Sequence, residues 1–236
     1  MTLAELRARL RDRIMDASGG ADWITDAVAD RCLNDSMLHI CNWADRQNQG
    51  LFFASYTAAA IAGGAAVDEA RINFYSDAGS PNFNIDRSAL TFRRHAALKR
   101  TNCAGNVAVR DLSMIEFEDA QAYKREAPQE LPTAYIIGES VRLIRPVSGI
   151  DLRFDFFFTP GQMTDAADTP GQSGGTGVKN ALPPEYQILI PIHAAIALLA
   201  SEESNTQQLQ AVYAEMLGEL QGTLVKRRAS RQGAAS

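Results

Sequence analysis

The chain is poor in cysteine and histidine and has no long uninterrupted apolar run. Its cysteines, Cys32, Cys41 and Cys103, are odd in number and lack paired spacing, which favours a reducing compartment over a disulfide framework. The longest apolar run, residues 188–200, is interrupted by His193 and is too short to cross a bilayer. Arginines interrupt the N-terminal leucines, so no signal-peptide core is present there. We therefore expect a soluble protein made in a cytoplasm.

Basic residues are outnumbered and unevenly placed. The formal net charge of −5 argues against nucleic-acid binding by the chain as a whole. Before residue 226, 19 basic residues stand against 28 acidic ones. The other four basic residues lie at the C-terminal end and are Lys226, Arg227, Arg228 and Arg231. We predict one domain over residues 1–227 and a disordered basic tail over residues 228–236.

The N-terminal region has the apolar spacing of two amphipathic helices. One helix is predicted over residues 2–16, and a second over residues 25–46 with Thr25 as its N-cap. The expected buried positions are Leu3, Leu6, Leu10 and Ile14 in the first helix, and Val28, Cys32, Leu33 and Ile40 in the second. Together they predict a helical hairpin.

A second helical hairpin is predicted over residues 184–227. Pro184 suits a first-turn position, whereas Pro191 must kink the first helix or mark its true start. Ser204 and Asn205 are a capping pair for the last helix. That helix carries an apolar stripe made of Leu209, Val212, Tyr213, Met216, Leu217, Leu220 and Leu224, which must be covered.

The middle of the chain is predicted to be β-rich over residues 105–158. Val107 and Val109 suggest a short strand, and the capping box Ser113 to Glu116 predicts a helix reaching about Lys124. Three consecutive strands follow, at residues 134–137, 140–145 and 151–158. On the last strand, one face carries Leu152, Phe154, Phe156 and Phe158. Residues 47–104 indicate only mixed structure.

These elements predict the α+β class. Helical hairpins at both chain ends would pack with a central antiparallel β-meander. Residues 159–181 are different, because glycine, proline, serine and threonine predominate there. We predict a long mobile loop, and we hypothesise that it docks onto a partner. Its candidate docking residues are Pro160, Met163, Pro170, Gly174, Gly175 and Val178. A merely tolerated surface insertion is the alternative.

No motif in the sequence supports catalysis, a metal or a cofactor. Cys32 and Cys41 are nine residues apart, which puts them on opposite sides of one helix, and the three histidines are scattered. The glycine-rich segment before Lys179 does not lead directly into a helix N-terminus, as a phosphate-binding loop must. No cysteine has a supporting nucleophile signature.

The order of these parts resembles the adaptor, or head-to-tail connector, family of tailed bacteriophages. The resemblance covers roughly residues 1–46 and 105–227. Besides the opening helix, it is carried by the sequences WITD (23–26), LPTAYIIG (131–138), VRLIRP (141–146), LPPEY (182–186) and VYAEM (212–216).

This resemblance implies a structural virion protein without enzyme activity. Family members form a ring, typically of twelve subunits, in the neck of the virion. The ring docks on the portal protein and binds tail or tail-completion proteins on its other face. Genomic DNA passes through the lumen without sequence-specific binding. Assembly would take place in the host cytoplasm, with no membrane involved, and the C-terminal basic residues would dock on the portal.

Two other classes of protein stay open. Another neck or tail component, such as a tail-tube or tail-completion protein, would share the loop but need not have the C-terminal hairpin. A virion-associated cell-wall hydrolase would instead need a pocket that contains a buried carboxylate with a perturbed pKa.

Overall fold

The structure is a computed structural model that describes most of the chain. The described residues are 1–18, 23–46, 51–61, 69–79, 81–87, 90–102, 110–126, 133–144, 150–170, 178–180, 182–202 and 204–233. They form two compact units. A helical unit contains Met1–Phe52, Thr159–Ser173 and Asn180–Ser236, and a β unit contains Phe53–Phe158 and Gly174–Lys179.

Helices and strands are numbered along the chain. The helices are α1 (Leu3–Ser18), α2 (Asp26–Arg46), α3 (Ala120–Glu126), α4 (Leu189–Ser201) and α5 (Gln207–Gly233). The strands are β1 (Phe53–Ile61), β2 (Glu69–Tyr75), β3 (Asn82–Ile85), β4 (Leu90–Asn102), β5 (Arg110–Asp111), β6 (Ser113–Met114), β7 (Thr133–Ile137), β8 (Ser140–Ile144), β9 (Ile150–Pro160) and β10 (Val178–Asn180). The predicted mixture of helix and sheet is therefore confirmed.

Helix α1 buries the whole apolar face that its sequence predicts. Leu3, Leu6, Leu10 and Ile14 each have 0% of their surface exposed. Burying a side chain of this size contributes roughly 1.5–3 kcal/mol relative to leaving it in water. On the neighbouring flank, Arg7 and Arg11 of α1 form ion pairs with Asp26 and Asp30 of α2. Apolar packing and these ion pairs together hold α1 beside α2.

Helix α2 begins at the predicted cap. The Val28 backbone N–H donates to the Thr25 hydroxyl oxygen at 3.3 Å. Leu33 and Ile40 are buried as expected, whereas Val28 and Cys32 are only half-buried. The buried face is therefore rotated slightly from the predicted one, and its other members are Ala29, Ser36, Met37, Cys41 and Ala44.

Helix α4 is the centre of the helical unit. It contacts α1, α2 and α5, and its 13 residues include no Asp, Glu, Lys or Arg. Pro184 starts a short 3-10 turn, and α4 itself begins at Leu189. Pro191 is thus the third residue of α4, where a helix leaves its backbone N–H groups without intrahelical partners. Of the two predicted roles for Pro191, marking the start of the helix is the one observed.

Helix α5 runs antiparallel to α4 and ends later than predicted. The ring of Tyr213 is tilted against that of His193, with centroids 5.4 Å apart, and the hydroxyl groups of Thr223 and Tyr186 lie 2.9 Å apart. Asn205 caps the helix, because its side-chain oxygen accepts from the Gln207 N–H at 3.0 Å. Its predicted end lies near residue 227, whereas the helix continues to Gly233.

The β unit contains two five-stranded sheets rather than one meander. One sheet has the order β10-β1-β9-β4-β5, and the other has the order β3-β2-β8-β7-β6. Strands β7 and β8 form the predicted hairpin around Gly138 and Glu139. Strand β9 does not continue that hairpin, because it pairs with β1 in the other sheet. The prediction of three consecutive meander strands is therefore wrong at the third strand.

Aromatic side chains from both sheets form the core of the β unit. Leu152, Phe154, Phe156 and Phe158 are each at most 1% exposed, which confirms the predicted alternation on β9. The Phe154 ring stacks on Phe74 of β2, with centroids 5.1 Å apart. Because β2 and β9 belong to different sheets, this stack packs the two sheets together.

Several local predictions for the middle region are corrected. Residues 47–104 contribute β1 to β4, although their sequence suggested only mixed structure. Ser113 lies in strand β6 instead of capping a helix, and α3 begins at Ala120. The capping-box prediction failed because Ser113 and Met114 pair with β7. Val107 and Val109 lie outside the described residues.

Replacing Leu10 with alanine should destabilise the helical unit. Leu10 is fully buried, so the truncation loses transfer free energy and leaves a cavity. We expect the free energy of unfolding to fall by about 2–5 kcal/mol in urea denaturation. Met15 on the same helix is 56% exposed, so the control Met15→Ala should cost less than about 0.5 kcal/mol. Similar losses for both variants would contradict the observed packing of α1.

Candidate interaction surfaces

The first half of the predicted docking loop is attached to the helical unit. The Leu3 and Ala4 N–H groups donate to the carbonyls of Asp168 and Ala166, at 2.7 and 3.1 Å. The Asn34 side chain accepts from the Met163 N–H at 2.8 Å and donates to the Met163 carbonyl at 3.0 Å. The prediction of one mobile loop is therefore wrong for residues 161–170.

The predicted docking residues fall into three groups. Pro160, Met163 and Pro170 are buried, so their side chains are not available to a partner. Val178 begins strand β10, beside β1. Gly174 and Gly175 lie outside the described residues, where the docking hypothesis stays a prediction.

The predicted portal-docking residues lie on the last turns of α5. Lys226, Arg227, Arg228 and Arg231 all belong to a backbone that is helical to Gly233. Leu220 and Leu224 are the last buried positions before them. Because α5 is antiparallel to α4, the helix beyond Thr223 continues past the level of Tyr186. The basic residues are thus presented on a helix rather than on an irregular tail.

Two of the three histidines meet between α2, α4 and α5. The rings of His39 and His193 stack with their centroids 4.1 Å apart and their planes 21° apart. His193 Nδ1 lies 3.0 Å from the hydroxyl oxygen of Ser36, and the Tyr213 ring is 5.4 Å away. The three histidines are scattered along the sequence, but the fold brings these two together. A single sequence contains no pattern from which the contact between His39 and His193 could be predicted.

The surroundings of His193 oppose its protonation. Burial lowers the pKa of His193 below its usual value, and the neighbouring His39 lowers it further. Burial also raises the pKa of Tyr213 to about 12, and its buried hydroxyl group has no hydrogen-bond partner among the described residues. A neutral, half-buried imidazole that contacts Ser36 is typical of a packed histidine.

Acidification should weaken the helical unit through His193. The unfolded imidazole titrates near pH 6.5, above the folded pKa, so the unfolded chain takes up the proton first. The free energy of unfolding should therefore fall as the pH drops from about 7.5 to 5.5, by at most about 1.4 kcal/mol per pH unit for one proton.

Urea denaturation across this pH range measures the effect. His193→Gln should reduce the slope of stability against pH, whereas His39→Gln should reduce it less, because burial of His193 remains. An unchanged slope in His193→Gln would show that His193 does not cause the pH dependence.

A charged cluster lies on the β2-β8-β7 part of the β unit. The carboxylate of Glu69 accepts hydrogen bonds from the Lys124 ammonium, from Arg142 at 3.0 Å and from the Tyr135 hydroxyl at 2.9 Å. Burial raises the pKa of Glu69, but the hydrogen bonds from Lys124 and Tyr135 and the two positive charges lower it by more. The cluster joins strands β2, β7 and β8 to helix α3.

Removing the charge of Glu69 should weaken the β unit. Glu69→Gln removes the negative charge with which Lys124 and Arg142, both partly buried, form ion pairs, so we expect a loss of about 1–3 kcal/mol in the free energy of unfolding at neutral pH. The matched control is Glu139→Gln. Glu139 pairs with Arg87 at the surface, where such pairs contribute less than about 1 kcal/mol. If chemical denaturation shows a larger loss of stability for Glu139→Gln than for Glu69→Gln, this assignment is contradicted.

Among the described residues, every shifted carboxylate pKa, at Asp26, Glu69, Glu139 and Asp168, is lowered, whereas a general acid needs a raised one. No group of three or more His, Cys, Asp or Glu side chains in the described ranges could hold a metal ion. In the same part of the chain, no helix is long and apolar enough to span a membrane.

Comparison with known families identifies the chain: it matches the SU10 adaptor protein family over residues 1–236 and belongs to it. This is a phage head-to-tail adaptor family of structural proteins, so the protein is a structural component of a phage virion. A search of curated proteins gave no match.

Proposed function

We propose that the protein forms a ring, of about twelve subunits, that joins the portal of the phage head to the tail. The observation that carries this proposal is the family match over the whole chain. A ring of this kind would surround the DNA channel and would bind tail or tail-completion proteins on the side away from the portal.

The charge distribution supports a channel role. The chain before residue 226 has nine more acidic than basic residues, as 28 stand against 19. An acidic lumen would not hold DNA strongly, because DNA binding depends on neutralising phosphates with Lys and Arg. Genomic DNA could then pass through the ring without being retained there.

We further propose that the C-terminal end of α5 docks on the portal. This segment combines a helical backbone with four basic residues and follows the last buried position, Leu224. Repeated around a ring, the segment would form a positive collar suited to an acidic portal surface.

Truncation tests the portal contact. The purified chain should bind the purified portal protein of the same phage and form a ring visible by electron microscopy. A chain ending at Leu224 should lose portal binding by at least tenfold, because it lacks the basic helical segment. A control chain ending at Gly233 keeps Lys226, Arg227, Arg228 and Arg231 and should bind normally.

A second variant separates charge from length. Replacing the four basic residues with glutamine keeps the helix but removes the positive collar, so portal binding should weaken and lose most of its dependence on salt. Undiminished binding by the Leu224 truncation would refute the portal contact. If necks isolated from phage particles contain no ring of this chain, the proposed function itself is refuted.

A further inference from the structure

The first half of α5 is held less firmly than the second half. Across residues 207–219 no side chain is fully buried, and complete burial begins only at Leu220 and Leu224. A segment without fully buried side chains opens more easily than the packed part of a helix. The first half of α5 can therefore open while Leu220 and Leu224 keep the second half in place. The side chains that contact the unit in this first half are half-buried and are Leu209, Tyr213, Met216 and Leu217.

Three rings connect this half of α5 to α4 and α2. Tyr213 of α5 lies against His193 of α4, with ring centroids 5.4 Å apart. His193 also stacks on His39 of α2, with centroids 4.1 Å apart. His39 is exposed, whereas His193 and Tyr213 are half-buried. His193 is thus the ring that contacts both of the neighbouring helices.

The elements around His193 offer little to balance a positive charge on its ring. Among the described residues, its hydrogen-bond partner is the neutral hydroxyl group of Ser36, at 3.0 Å. Helix α4 has no Asp, Glu, Lys or Arg, and the buried face of α1 consists of leucines and an isoleucine. On α5, Glu215 and Glu219 lie about 120° or more around the helix from Tyr213, so they point elsewhere.

Helix α2 places two charged residues on the flank of His39. Asp35 lies one turn before His39 and Arg46 two turns after it, both exposed and within about 40° of it around the helix. Cys32 shares this flank, and burial raises the pKa of its thiol, so it is uncharged at neutral pH. The carboxylate of Asp35 can stabilise a positive charge on the exposed His39, but no described anion hydrogen-bonds to His193.

We propose that the stack of His39 and His193 is a pH-sensitive switch that releases the first half of α5 when both rings are protonated. Two imidazolium rings at this distance repel each other, and the charge on His193 needs water that the neighbouring helices exclude. Helix α2 has seven buried positions, whereas residues 207–219 of α5 have none. Water therefore reaches His193 by the opening of α5. This inference concerns the single chain and does not depend on the proposed ring.

Native-state hydrogen exchange of the full chain at pH 7.5 and pH 5.5 tests the switch. After correction for intrinsic exchange rates, the protection of backbone amides 209–217 should fall by about three- to tenfold at the lower pH. The reason is that opening admits one further proton to a group that titrates near pH 6.5 when hydrated. The protection of amides in α2 and α4 should change by less than about twofold, because these helices stay packed.

Variants of the two histidines assign the effect. His193→Gln should remove the fall in protection, because glutamine stays neutral, and His39→Gln should make it smaller, because only the burial of His193 remains. The matched control His95→Gln changes a histidine on β4, in the β unit, and should keep the whole fall. Since His39 is exposed, its variant also provides the test if His193→Gln does not fold.

Three outcomes would overturn the switch. Protection of amides 209–217 that is equal at both pH values would show that α5 is not released. An equal loss of protection in α2, α4 and α5 would show that the whole helical unit is destabilised instead. A fall that His39→Gln leaves unchanged would show that the stack does not cause it.

Discussion

The packing of the uncharged helix α4 is the constraint on which the helical unit depends. Leu189–Ser201 contains no charged side chain, and a helix that is apolar on all sides has to be covered. Three helices from both ends of the sequence supply the cover, because α1 and α2 precede the β unit and α5 follows it. The two chain ends therefore belong to one unit, and the β unit is inserted between them in sequence. Residues 161–170 add backbone hydrogen bonds to the start of α1.

The β unit depends on a different device, the aromatic face of β9. A strand that lies between two others in a sheet has its backbone groups hydrogen-bonded on both sides. Its side chains can therefore point into a core while all interstrand hydrogen bonds are kept. Strand β9 has this position between β1 and β4. Its Phe154 meets Phe74 and Phe83 from the other sheet. Strand β9 does not join the β7–β8 hairpin but pairs with β1 and β4. Its aromatic face therefore lies in a core that both sheets share.

Sequence reasoning succeeded where one element contains its own signal. The face of α1 could be derived from Leu3, Leu6, Leu10 and Ile14, and the buried face of β9 from its alternating residues. It failed where the structure depends on which other helix or strand packs beside an element. Alternation shows which face of β9 is buried but not which strand lies beside it. Likewise, His39 and His193 come together only because α2 and α4 pack. Portal-docking candidates came from charge and family resemblance, while the exposure of Val212 on α5 required the burial of each side chain to be known.

The uneven cover of α5 links the fold to assembly. Its apolar stripe looks uniform in sequence, yet Leu220 and Leu224 are buried while Val212 remains exposed. A stripe that served only the folding of one chain would gain by full burial, since each exposed apolar residue forgoes roughly 1.5–3 kcal/mol. The exposed Glu215 and Glu219 beside it keep this part of the helix hydrated. Helix α5 thus buries part of its apolar stripe in the core and leaves another part exposed beside charged residues. Such a helix is suited to a subunit that must fold alone and then assemble with a defined neighbour.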